Sequence, residues 1–246
     1  MKKTLKNLLA AAFWIAVWWL LAARIGSQLL LPTPPATIAR LFALAGTAEL
    51  WRTVFTTLLR ILLGAAVGVV LGTLLAVLTC SVSLLRTLFA PLLTVIKSTP
   101  VASFIILLII WLGRDVLPAA IVVLMVLPVV WANVSAGIDG TDRQLLELAA
   151  VYRFPPLRTL RRVYIPAVLP HFLAACRSTL GLAWKAGVAA EVLTMPAVSV
   201  GRKLADAKSY SETLDLFAWT LVVIICSLLI EHLLMRAISR IGGGKA

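Results

Sequence analysis

Acidic side chains are scarce. Ten aspartates and glutamates stand against 23 lysines and arginines, and only 13% of the chain is charged. Soluble domains carry about 25% charge, so little room is left for a sizeable water-soluble domain. Cysteine is thin as well. Cys80, Cys176 and Cys226 lie in or beside apolar stretches and lack metal-ligand spacing, which makes them small packing residues and leaves no metal site. His171 and His232 are far apart, each without a ligand pattern. No glycine-rich phosphate loop ending in Gly-Lys-Ser/Thr occurs, nor a His-Glu-x-x-His run, nor a serine elbow. These absences speak against a membrane enzyme and against an ATP site in this chain.

What is present is hydrocarbon. Hydrophobic residues make up 61% of the 246 positions, and runs long enough to cross a bilayer recur along the whole length. Backbone in lipid must close its own hydrogen bonds, and the runs show no strand alternation, so the spans are helices. The net charge of +13 is not a nucleic-acid signal, because most basic residues flank apolar runs. That placement suits topology and anionic lipid.

Six spans are expected, over residues 8–31, 54–80, 88–112, 116–136, 171–193 and 212–237. The first run is too long for a secretory signal and has no small-residue cleavage site. Residues 1–53 then form an N-terminal span, a rigid Leu31–Thr37 turn (LPTPPAT) and a surface-lying helix over 38–53, with Trp51 at headgroup depth. Residues 54–246 form a five-span core. In it, Gly64, Gly68 and Gly72 open a groove for a neighbouring helix. Residues 195–211 read as a polar loop. Basic residues test the orientation. Arg24, Arg40, Arg52, Arg60, Arg114, Arg202, Lys203 and Lys208 fall on the outer side, Lys97, Arg177 and Lys185 fall inside spans, and the other 12 of 23 fall on the inner side with both termini.

Charges inside spans are costly and must face protein, water or a solute. Lys97 and Ser98 sit beside Pro100, near mid-depth of the third span. They either line a polar route or pair within the bundle. Arg177, Gly181 and Lys185 lie at i, i+4 and i+8 of the fifth span, on one stripe. They either line a route for an anionic or polar solute or pair internally with Glu191 or Glu231. The three cations together tilt the solute toward anions.

The longest polar interval is residues 139–170. Thr141 and Gln144 have capping-box spacing, so a helix is predicted over 141–152. Pro155 and Pro156 stop it. Placed on the inner side, it is either a docking surface for a soluble partner or an anchor for the loop. Tyr152 and Phe154 are candidate apolar anchors. Glu147 either meets the partner or pairs with Arg143 or Arg153.

This interval resembles the cytoplasmic loop of permease subunits of bacterial ABC importers, the binding-protein-dependent inner-membrane component family. Their loop reads Glu-Ala-Ala, three residues, Gly, nine residues, Ile, one residue, Leu-Pro. Glu147-Leu148-Ala149, Arg153, Val163 and Ile165-Pro166 stand at those places. Leu148 and Arg153 depart from the pattern, and Arg153 in place of glycine implies a different local bend or a different ATPase contact. The segments FAPLLTVIKSTPVAS, VLPVVWANVSAGI and LGLAWKAGVAAEVL, with LPTPPAT, resemble the sulfonate, taurine and nitrate branch.

The resemblance implies an all-α integral membrane protein of the type I importer permease kind, with a coupling helix between spans four and five. It would sit in the bacterial cell membrane with cytoplasmic termini. Two permease copies, by expectation identical, would enclose the pathway for a small anionic solute. Thr141, Glu147, Ala149, Tyr152, Arg153, Phe154 and Pro166 would contact a cytoplasmic ABC ATPase dimer. ATP and Mg would be bound on that partner, with no cofactor here. An extracytoplasmic solute-binding protein would deliver the solute to Lys97, Ser98, Arg177, Gly181 and Lys185. The rival readings are an ion-coupled secondary transporter and a structural or assembly subunit.

Overall fold

In a computed structural model, eleven α-helices and one π-helical turn carry most of the described residues, 2–241. The tail with Lys245, counted above on the inner side, lies outside the described residues, as do the side chains of Lys2, Lys3 and Arg240. Five helices are long and apolar enough to cross a membrane, or six spans if one bent pair counts as one. No strand occurs among the described residues.

Helix α1 is Lys2–Ile25, with Arg24 in its last turn, where a cation complements the helix dipole. Gly26 at φ +67° ends it, earlier than the sequence suggested. Helix α2, Pro34–Ala45, starts on a proline, whose fixed φ suits a first turn. The surface helix expected over 38–53 is therefore two pieces. Helix α2 stops at Gly46, and α3 begins at Ala48 and runs 34 residues to Ser81. The Trp51 indole N–H bridges the break to the Ala45 carbonyl at 2.9 Å.

The expected third span is a bent pair of helices. Helix α4 is Ser83–Ser98 and α5 is Val101–Leu108, turned by 103°. Pro100 is the cause. Its ring forces Thr99 out of the helical region, to φ −82° and ψ 132°. Pro91 stays inside α4 without breaking it. Helix α6 is Leu117–Asp139, and its Ile121, Val122, Val126 and Val130 are fully buried.

Helix α7 (Arg143–Val151) and the one-turn α8 (Pro156–Thr159) occupy the polar interval. A π turn follows over Leu160–Tyr164 and leads without interruption into α9, Ile165–Thr194. Pro166 has no N–H to give the carbonyl four residues back, and the Ile165 N–H bonds Leu160 O, five back. The fifth span thus starts before His171 and absorbs Pro166 and Pro170. The expected loop over 195–211 contains α10, Val200–Ser209, before α11, Thr213–Ile241.

By packing, the chain forms two units, Met1–Thr57 with Glu191–Cys226, and Leu58–Ala190 with the chain from Ser227 on. In the second unit α6 is the centre. Gly64, Gly68 and Gly72 of α3 lie against Ala119, Val126 and Leu127–Val130 of α6, so closely that a Cβ would meet atoms at 2.7–2.9 Å. Ile105 of α5 packs with Leu117, Ile121 and Met125 of α6 and Ala186 and Ala190 of α9.

In the first unit a carboxylate holds the packing. Glu191 is fully buried. Its Oε2 accepts from the Thr57 hydroxyl at 2.9 Å and from the Gly201 N–H at 3.2 Å. Thr57 in turn accepts from the Val200 N–H at 3.0 Å, and the Ser199 hydroxyl accepts from the Arg202 N–H at 3.0 Å. The free N–H groups that begin α10 are thereby satisfied. Arg40 of α2 donates to Asp215 of α11 through its Nη2 at 2.8 Å. That hydrogen bond holds the Arg40 guanidinium above its ordinary value.

Candidate functional site

Helix α9 has 3.6 residues per turn, so Arg177, Gly181 and Lys185 fall on one face. The structure brings them together. With Ser178 and Leu180 they form one wall of a cavity of about 270 Å³, and Ser227, Glu231 and Met235 of α11 form the other. Gly181 keeps the wall open, since nothing lies within 4 Å of where its Cβ would be. Arg177, Lys185 and Glu231 are exposed to this space. Among the described residues none of the three side chains makes a hydrogen bond or an ion pair.

That bears on the pairing weighed for the stripe with Glu231. Among the described residues no ion pair joins Glu231 to Arg177 or Lys185. Unpaired charges on spanning helices are costly in lipid. The cavity is therefore a place for water, a second chain or a solute.

Lys97 and Ser98 do not join this group. Both are exposed at the C-terminal end of α4, just before the bend, and neither lines the cavity. The Ser98 hydroxyl donates to Val95 O at 3.0 Å. A larger cavity of about 560 Å³ lies between the later turns of α3 and α6 and the start of α9, and its lining has no charged side chain. It offers an anion no partner.

The polar interval has a different build from the one its spacing predicts. Asp142, not Thr141, caps α7, its Oδ1 accepting from the Gln144 N–H at 2.8 Å. Thr141 is buried and its hydroxyl donates back to Gly137 O at 3.2 Å, so it is spent closing α6. The helix consequently runs Arg143–Val151 rather than 141–152.

At the exit of α7, Arg153 adopts φ +48°, the left-handed conformation that glycine takes most readily. The Arg153 N–H bonds Ala150 O at 3.0 Å and the Phe154 N–H bonds Ala149 O at 2.8 Å. This is the Schellman pattern that ordinarily calls for glycine.

On this segment Ala149 is buried, while Leu148, Val151 and Tyr152 are 52%, 79% and 69% exposed. Phe154 is half-buried, 5.4 Å from the Arg158 guanidinium, and Pro166 is exposed. Glu147 is exposed and pairs with neither Arg143 nor Arg153. The segment thus presents a short capped helix with exposed apolar side chains. Arg86 of α4 ties down its entrance through Asp139 at 2.7 Å.

Sequence reasoning weighed Glu231 only as an internal partner, and missed it and Ser227 as cavity-lining residues. The available signal was that Glu231 is the acid deepest along the sixth apolar run. It also missed the Glu191 network, which no local pattern announces.

Three comparisons bear on this architecture. A family described as binding-protein-dependent transport system inner membrane component matches residues 68–241. A Bacillus subtilis (strain 168) protein named as an aliphatic sulfonates transport permease, SsuC, is 30% identical over 89% of this chain and 79% of its own length. The taurine transport system permease protein TauC of Escherichia coli (strain K12) is 25% identical over 92% of this chain and 84% of its own. Among solved structures, an inward-facing MetNI methionine ABC transporter superposes with a TM-score of 0.65 at 18% identity. That match covers 78% of this chain and 95% of the other, and it bears on the fold alone.

Proposed function

Because the chain belongs to the family of binding-protein-dependent transport system inner membrane components, we propose that it is the membrane-spanning permease subunit of an ATP-driven importer for a small sulfonate-type anion. The observation that carries the solute class is the α9–α11 cavity, where Arg177 and Lys185 stand unpaired beside a space of small-molecule size. The names of the SsuC and TauC relatives agree with that class.

In this reading Arg177 and Lys185 attract and hold the anion, and Gly181 leaves room for it. Arginine suits a sulfonate because its planar fork meets two oxygens at once. A second copy of the chain would close the far side of the cavity. Lys97 and Ser98 would contribute at the α4–α5 bend, away from the α9 stripe.

Coupling falls to α7. A partner ATPase, which would bind ATP and Mg, would take the exposed Leu148, Val151 and Tyr152 into a cleft, with Glu147, Arg153 and Phe154 at its rim. Thr141, Ala149 and Pro166 would hold the helix to the spans. Caps at both ends make α7 a stiff piece, and a stiff lever transmits motion that a slack loop would absorb. The charge bias supports cytoplasmic termini, which puts α7 on the ATPase side, and an extracytoplasmic binding protein would deliver the solute opposite.

The test is retention of an ABC ATPase by the detergent-solubilised chain. The wild type is expected to co-purify with one, and Tyr152→Ala to lose most of it while eluting as a folded membrane protein. A wild type that retains no ATPase contradicts the reading.

A further inference from the structure

The first unit has a cavity of its own, of about 130 Å³. The start of α3 gives it one wall with Glu49, Arg52 and Thr53, and α10 with its cap gives the other with Ser199, Arg202 and Lys203. Three cations thus face one carboxylate, and the Lys203 ammonium already takes Glu49. Arg202 gives its Nε to Asp206 at 3.4 Å, while its two Nη groups bond nothing among the described residues. The Arg52 side chain bonds nothing among them either. Thr53 is the sharper sign. It lines the cavity and is 2% exposed, yet its hydroxyl has no hydrogen-bond partner among the described residues. Thr56, Thr73 and Thr79 of the same helix each donate to the carbonyl four residues back. A buried hydroxyl left without a partner is costly.

We propose that this cavity seats the phosphate of a membrane phospholipid. Its unspent donors are two guanidinium groups and a hydroxyl. A phosphate has oxygens enough to take both forks and the hydroxyl at once, whereas a carboxylate has two. The volume is well under the roughly 300 Å³ lower bound of small-molecule pockets, so the cavity takes a head group and not a whole solute.

Depth and neighbours point to lipid. Helix α3 has 34 residues. At 1.5 Å each that is about 51 Å, longer than the roughly 40–45 Å of a bilayer with its head groups. Arg52, in the second turn, therefore reaches head-group depth. Around the helix, Phe55 and Trp51 fall about 60° and 100° to one side of Arg52, and Glu49 and Thr53 about 60° and 100° to the other. Trp51 and Phe55 are 62% and 67% exposed. Arg52 thus stands between the cavity and an apolar strip open to acyl chains. The basic-residue bias puts this end of α3 on the outer side. The excess of cations favours an anionic lipid over one that carries an ammonium.

The test is native mass spectrometry of the delipidated full-length permease in detergent, titrated with phosphatidylglycerol, with inorganic phosphate or with sn-glycerol 3-phosphate. The wild type is expected to bind phosphatidylglycerol at least tenfold more tightly than Arg52→Gln with Arg202→Gln, which is about 1.4 kcal/mol. Arg161→Gln with Arg162→Gln removes the same charge from two exposed positions of the π turn and is expected to bind as the wild type does. Thr53→Val keeps both cations and nearly the same shape. It is expected to weaken binding about threefold, and it decides the matter if the double variant does not fold. Equal binding by the wild type and the α3–α10 variants overturns the inference. So does an equal loss in the π-turn control, which marks general charge attraction. Inorganic phosphate or glycerol phosphate bound as tightly as the lipid overturns the lipid as source and leaves a soluble phosphate in the cavity. Variants that keep the lipid but no longer retain a co-added solute-binding protein overturn the inference too, and assign the cavity to a protein carboxylate.

Discussion

Replacing Gly72 with alanine adds one methyl group at the tightest contact between α3 and α6. That carbon would sit 2.7 Å from the Leu127 carbonyl oxygen and 2.9 Å from Val130 Cβ. Carbon atoms attract at about 3.5–4.0 Å, so the helices must part by roughly 0.6–1 Å. The obstructing oxygen belongs to backbone inside α6 and cannot rotate away. Overpacking of this kind costs about 1–3 kcal/mol. For a chain of this size each kcal/mol moves the midpoint by about 2–4 °C. Gly72→Ala should therefore lower the thermal unfolding midpoint of the detergent-purified protein by about 2–12 °C. Gly181→Ala is the internal comparison, because nothing lies within 4 Å of its Cβ position. It should be neutral or raise the midpoint slightly, by the helix-propensity gain of up to about 1 kcal/mol. Gly64→Ala combined with Gly72→Ala should cost less than the sum, since the first separation of the helices relieves the second clash. If Gly72→Ala matches Gly181→Ala, the close α3–α6 approach is wrong.

Glu191→Ala removes the acceptor for Thr57 and Gly201, and buried donors left without partners cost about 1–3 kcal/mol each. Amide exchange at Gly201 should accelerate at least tenfold while exchange in the middle of α6 stays slow, as hydrogen-exchange mass spectrometry would show. Arg153→Gly relieves a left-handed conformation that costs roughly 1–2 kcal/mol for a residue with a Cβ. It should slow amide exchange at the α7 exit, Phe154 included, and faster exchange there would refute the Schellman assignment. Asp142→Ala should lose about 1 kcal/mol of α7 stability, whereas Thr141→Ala should leave exchange at Gln144 unchanged.

The α3 glycine groove, the polar interval and the α9 stripe were legible because each is a local, helical-period pattern. What was not legible depends on partners distant in sequence or on competition between neighbours. Helix α10 looked like a loop because its residues are polar. Its start is fixed by Glu191 and Thr57, which are 134 positions apart. Asp142 and Thr141 are both good capping residues, and the Gly137 carbonyl decides between them by engaging the threonine. The position of the third-span bend was readable from Pro100. Its 103° size was not, because α5 packs its Ile105 against α6 and α9. The left-handed turn at Arg153 was not legible, because an arginine is a poor predictor of φ > 0. There the two hydrogen bonds that close α7 override the preference of the side chain. Glu231 was weighed only as an internal partner, because its place in the wall opposite Arg177 depends on where α11 lies against α9.

The most direct test of the account is uptake of radiolabelled 2-aminoethanesulfonate into proteoliposomes containing the permease, its ATPase and its binding protein. Accumulation should require ATP inside the reach of the ATPase. It should fall at least tenfold in Arg177→Gln with Lys185→Gln, in a complex that still assembles. Accumulation that follows an ion gradient and ignores ATP, or that survives loss of both cations, would contradict it.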